Sequence, residues 1–137
     1  MAFTLQINIK TLNMGSIEEI GNAFLSHYYT TLDSANYDML SNLYQAHSLL
    51  TFEGQKFEGP GAIVGKVAGL GKVQHNIAGL TKDIQVSTSQ SAMLIFVSGQ
   101  LCVDSNPPLL FSQMFQLVAT GPGAFYIHNE MFRLILA

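Results

Sequence analysis

The sequence predicts an α+β fold, with three helices laid on one face of a curved antiparallel sheet. Three observations carry that reading. A capped, strongly periodic helix opens the ordered part of the chain, two shorter helical stretches follow around a hairpin, and everything after Val73 reads as strand. The order α-α-ββ-α-ββββ puts helices together on one side of a sheet rather than alternating them between parallel strands.

Each element has a local reason. Ser16 and Glu19 form a capping box, and Ile17, Ile20, Phe24, Tyr28 and Leu32 recur at helical spacing, so a helix is expected over about 16–32. Asp33, Ser34 and Asn36 interrupt it. A second helix is expected over about 36–45, with Tyr37, Leu40, Leu43 and Tyr44 on its apolar side. Leu49–Glu53 reads as a strand, Gly54-Gln55 as a turn and Lys56–Glu58 as the return. Pro60 suits the first turn of a third helix that ends near Gly69 and Gly71. Strands are expected at about 73–87, 91–104, 109–119 and 124–136. The apolar phase of the first flips near Gly79, as a bulge that bends the sheet would require. Residues 1–15 read as an N-terminal extension whose Phe3/Leu5/Ile7/Ile9 alternation suits a strand, and 16–137 as a single domain.

Composition narrows the function. Of 137 residues, 48% are apolar and 11% charged, which excludes a disordered chain. Net charge is −3, and the six basic residues are scattered, so there is no footprint for nucleic acid and none for a polybasic membrane contact. No stretch is long and apolar enough to insert in a membrane as a helix. One cysteine, Cys102, fits a reducing compartment. Between Ile84 and Phe132 only Asp104 and Glu130 are charged. Leu94, Phe96 and Cys102 alternate with Ile95, Val97 and Leu101, so both sheet faces are apolar. Three helices cover one face. The other is expected to pack on a second copy of the chain, as isologous dimers commonly do.

No cofactor is expected. Gly61 and Gly65 enclose three residues and Val67 follows Lys66, which fails the phosphate-loop pattern. His27, His47, His75 and His128 lack the spacing of a zinc site. Tyr28, Glu53, His75 and Asp104 flank the cavity expected between helices and sheet. As charges at strand ends, Glu53 and Asp104 suit a solvated rim. As acid–base groups, a cavity carboxylate or His75 supported by Tyr28 would suit a small-molecule isomerase or dehydratase.

A whole-domain pattern then emerges: Ile20-Gly21 with His27-Tyr28-Tyr29, Leu50-Thr51-Phe52-Glu53-Gly54-Gln55 with Phe57 and Gly59, Ala62-Ile63-Val64, Gln74-His75, Gly99-Gln100-Leu101, Gln113-Met114-Phe115, and Asn129 through Leu134. From about Ile17 to Leu136 the chain resembles the nuclear transport factor 2 family. That resemblance implies a cone-shaped, cystatin-like fold and a non-enzymatic homodimer of cytoplasm, nucleus and nuclear pore. It implies two partners, the GTPase Ran in its GDP form and the Phe-Gly repeats of nucleoporins.

For Ran it implies a cavity mouth built from Phe52, Leu70, Val73, Leu109, Met131 and Phe132, acidic contacts at Glu53 and Asp104, and His75 at the cavity edge. It places Ile17 at the nucleoporin position and Phe96, Met114 and Met131 in the dimer interface. This chain departs from the family pattern where Phe52 replaces a tryptophan, Asn106 a second acid, and Ile17 an aromatic residue.

Overall fold

The computed structural model describes residues 3–4, 14–89 and 91–135. The elements are β1 (Phe3–Thr4), α1 (Met14–Asp33), α2 (Tyr37–Ser41), β2 (Tyr44–Phe52), β3 (Gln55–Glu58), α3 (Gly59–Ala68), β4 (Val73–His75), a 3₁₀ turn (Ile77–Gly79), β5 (Thr81–Val86), β6 (Ala92–Val103), β7 (Leu109–Gly121) and β8 (Ala124–Ile135). The α+β architecture expected from the sequence is the one observed. Among the described residues no helix is long and apolar enough to cross a membrane.

The sheet runs β3-β2-β8-β7-β6-β4, with β5 also on β6 and β1 on β8. All pairs are antiparallel except β2 with β8, which is parallel. The register of that pair shifts between Tyr44 and Leu49, where five steps of β2 match two of β8. Ser48 stitches the irregularity: its hydroxyl donates to the Ile127 carbonyl (2.6 Å) and accepts from Gln45 N–H (2.9 Å).

Helix α1 starts at Met14, so Ser16 is its third residue rather than its N-cap. Ile17, Ile20, Phe24, Leu25, Tyr28, Tyr29 and Leu32 are buried, while Glu18, Glu19, Asn22 and Ser26 face water. That stripe lies close on the sheet: a Cβ at Gly21 would strike the Ile84 side chain. Helix α2 is shorter than expected. The Asn36 side chain caps it by accepting from Met39 N–H (3.2 Å), and Tyr44 already belongs to β2. Helix α3 carries its proline in the first turn, as expected, and buries Ile63 and Val67.

The phase flip near Gly79 is a 3₁₀ turn and not a simple bulge. β4 and β5 lie one after the other along β6, with Val73–His75 opposite Val103–Leu101 and Thr81–Val86 opposite Ser98–Met93.

Strand parity sorts the long strands. Ile95, Val97, Phe111, Phe115 and Phe132 point into the core. Leu94 and Phe96 point the other way, to the outer face. Register places Met131 opposite Met114 and Met114 opposite Phe96, a row across three strands. Phe96 is 49% exposed and Met131 52%. Leu49, Leu110 and Ile135 lie on the same face and are also exposed.

Candidate functional site

The concave side of the sheet, α1 and the end of α3 enclose a cavity of about 130 Å³. Seven of the residues expected at it line it: Tyr28, Phe52, Leu70, Val73, His75, Leu109 and Phe132. Phe52 and Phe132 stack at 4.6 Å between ring centroids with planes 2° apart, and Phe111 continues the stack at 5.7 Å from Phe132. Lys66 Nζ stands 5.3 Å from the centre of the Phe52 ring, a cation–π distance.

Met131 is not in the wall. It points to the outer face while Glu130 and Phe132 on either side point inward, so its expected place in the cavity mouth is corrected by strand alternation.

Two exposed carboxylates mark the rim, each at the first central position of a tight turn. Glu53 (φ 50°) and Gly54 (φ 86°) join Phe52 to Gln55 in the β2–β3 hairpin. Asp104 (φ 50°) and Ser105 (φ 67°) lie between Val103 and Asn106, whose N–H donates to the Val103 carbonyl (2.9 Å). Both pairs have the left-handed backbone of a type I′ turn. Each acid is anchored by one oxygen. Glu53 Oε1 accepts from Leu134 N–H, and Asp104 Oδ1 from Lys72 N–H (2.8 Å). Gly71 (φ 104°) makes the second anchor possible, because a Cβ there would run into the Asp104 carboxylate. Asn106 is exposed beside Asp104.

The cavity floor is polar, and sequence reasoning missed most of it. Glu130 is 2% exposed. It accepts from Tyr28 Oη (2.9 Å), Tyr44 Oη (2.6 Å) and Gln113 Nε2 (2.6 Å), and Tyr29 Oη donates to Gln113 Oε1 (2.7 Å). Burial pushes the Glu130 carboxyl above the ordinary carboxylate range, while the hydrogen bonds from Tyr44, Tyr28 and Gln113 pull it back. Burial also holds Tyr28 and Tyr44 well above the usual phenol range, with the Glu130 charge adding to it. One signal for Glu130 was present: it is an acid in a nearly uncharged stretch, two residues from Phe132 and therefore on the same face.

His75 packs against Tyr29, with ring centroids 4.5 Å apart, and its Nδ1 lies 2.7 Å from Asp33 Oδ1. Asp33 Oδ2 accepts from the His75 backbone N–H (2.8 Å).

Ile17 is corrected outright. It is 2% exposed and belongs to the core, so its side chain offers nothing to a nucleoporin.

The raised Glu130 carboxyl has a consequence for stability. Its contribution is fully present below the unfolded glutamate value of about 4.3 and is lost as pH rises through the higher folded value. Glu130→Gln is therefore expected to flatten the stability profile from about pH 4.3 upward. Urea unfolding across pH 4–8 at fixed protein concentration checks this. A difference between the two proteins that does not change with pH would contradict it.

Residues 20–134 match the nuclear transport factor 2 domain model. The chain belongs to the nuclear transport factor 2 family. It is 49% identical over 120 residues to nuclear transport factor 2 of Oryza sativa subsp. japonica, covering 85% of this chain and 95% of the relative. Among solved structures it is similar to nuclear transport factor 2 of Cryptosporidium parvum, with TM-score 0.79, 38% identity, and 91% and 98% of the two chains covered. A ketosteroid isomerase-like protein of Erwinia carotovora atroseptica shares the fold alone, at 15% identity and TM-score 0.66 over 93% of this chain and 99% of that one. As in other nuclear transport factors, the role of this family member is that of a nuclear transport carrier.

Proposed function

We propose that this carrier works as a homodimer that binds Ran in its GDP form at the cavity mouth and crosses the nuclear pore by weak contacts with Phe-Gly nucleoporins. One observation carries the first part: a stacked aromatic wall, Phe52 on Phe132, opens beside the exposed carboxylates Glu53 and Asp104. An apolar anchor seated in such a pocket, ringed by charge that excludes wrong partners, is how interface hot spots are built.

The outer sheet face supports the homodimer, since Phe96, Met114 and Met131 form an apolar row that a second copy would cover. With Ile17 in the core, Phe-Gly contacts fall to other surface residues. Movement between cytoplasm and nucleus through the pore follows from this reading.

The cavity floor favours a carrier over an isomerase or dehydratase. Both Glu130 oxygens are already engaged by Tyr28, Tyr44 and Gln113, so the carboxylate is poorly placed to take a proton from a substrate.

The test is titration with Ran loaded with GDP or with a GTP analogue. Preference for the GDP form is expected, and equal binding would sink the reading. Glu53→Lys is expected to weaken Ran-GDP binding by about 10-fold or more, through reversal of a rim charge, and to leave the subunits paired. Isothermal titration and sedimentation read the two quantities separately.

A further inference from the structure

Two histidines and a tyrosine meet on β2 and β8, and none of them lines the cavity. His47 Nε2 stands 3.2 Å from Tyr126 Oη, and His128 Nδ1 stands 3.1 Å from the same oxygen. The three rings lie 5.5 to 5.9 Å apart between centroids, steeply tilted to one another. Phe125 and Ile127 belong to the core, so Tyr126 and His128 turn the other way, and His47 is exposed.

Both histidines owe their positions to breaks in strand register. His47 lies in the stretch of β2 between Tyr44 and Leu49, and His128 between Ile127 and Asn129 of β8, and neither is matched to a residue of a neighbouring strand. Extra residues of this kind re-aim side chains. The breaks are held in place: Ser48 Oγ donates to the Ile127 carbonyl (2.6 Å) and Asn129 Nδ2 to Gln116 Oε1 (2.8 Å).

The spacing is that of ligand atoms around one ion. A tetrahedral ion with bonds of about 2.0–2.1 Å keeps its ligand atoms about 3.3–3.4 Å apart. Imidazole nitrogen suits zinc, copper and nickel, whereas calcium and magnesium take oxygen donors. Among the described residues no third His, Cys, Asp or Glu joins the two histidines, so the third donor is the phenol oxygen.

We propose that His47 Nε2, His128 Nδ1 and Tyr126 Oη form a binding site for a divalent transition ion of the zinc class, one per chain, with water in a fourth position beside the exposed His47. On binding, the Tyr126 hydroxyl proton passes to solvent and each imidazole keeps its hydrogen on the ring nitrogen that does not bind. The inference goes beyond the carrier reading and does not depend on it, because all three ligands come from one chain.

The test is isothermal titration of the full chain, stripped of metal by a chelator, with zinc chloride, joined to NMR of the histidine ring nitrogens. Saturable binding of one zinc per chain is expected, with shifts of His47 Nε2 and His128 Nδ1, and magnesium chloride is expected to give no binding. His47→Ala, at an exposed position, and Tyr126→Phe, which keeps the ring, are each expected to weaken zinc binding by about 10-fold or more. His47→Ala combined with His128→Ala is expected to abolish it. If that double variant does not fold, the ring-nitrogen shifts and His47→Ala decide. No saturable zinc binding, one ion per two chains, or shifts confined to His27 or His75 overturn the site. An unchanged affinity in Tyr126→Phe overturns the role of the phenol oxygen.

Discussion

Phe96→Asp is expected to yield folded single subunits. Phe96 ends the row Met131–Met114–Phe96 on the outer face, where it is half exposed in the isolated subunit and contributes nothing to the core. The substitution therefore leaves the core intact. In a two-fold pair it would enter the interface twice, each time as a carboxylate stripped of water. An uncompensated buried charge costs roughly 3–5 kcal/mol, so the dissociation constant is expected to rise by on the order of 1,000-fold or more. Sedimentation velocity reads the mass and circular dichroism the fold. A variant that sediments as the unaltered protein does would show that subunits, if they pair, do so through another face.

Glu130→Ala is expected to produce the largest loss of stability. The truncation strands three buried donors, Tyr28, Tyr44 and Gln113, and through Gln113 disturbs Tyr29. Removing a shared buried acceptor costs roughly 3–5 kcal/mol. With an unfolding entropy of about 2.1 cal/mol/K per residue, that corresponds to a fall in melting temperature of about 10–17 °C. Tyr44→Phe removes one donor and leaves the carboxylate two others, so a loss of about 1–2 kcal/mol is expected. Thermal melts of the two variants test the order. If Glu130→Ala melts within a few degrees of the unaltered chain, the cluster is not what ties α1 to the sheet.

Much of this site was legible because it is written at short range. The periodic stripe of α1, the turn at Glu53-Gly54 and the double-sided apolar alternation around Phe96 are each set by neighbours a few residues apart. So was the exposure of Glu53 and Asp104, since residues at the tips of turns between strands face water. Other features needed partners distant in the chain. Asp33 meets His75 across 42 residues, and Glu130 meets Tyr28 across 102. Nothing near either residue announces the other.

What the sequence determined by itself was the class of fold, the two apolar faces of its long strands and the family, because periodicity and ordered motifs are local properties of a chain. The tertiary structure alone decided that β2 runs parallel to β8, that Ile17 lies inside, that Met131 turns its back on the cavity, and that Glu130 sits under three donors. Those outcomes depend on which strand neighbours which and which face meets the helices. Packing settles such choices through the burial of whole surfaces at once, and no single stretch of residues contains them.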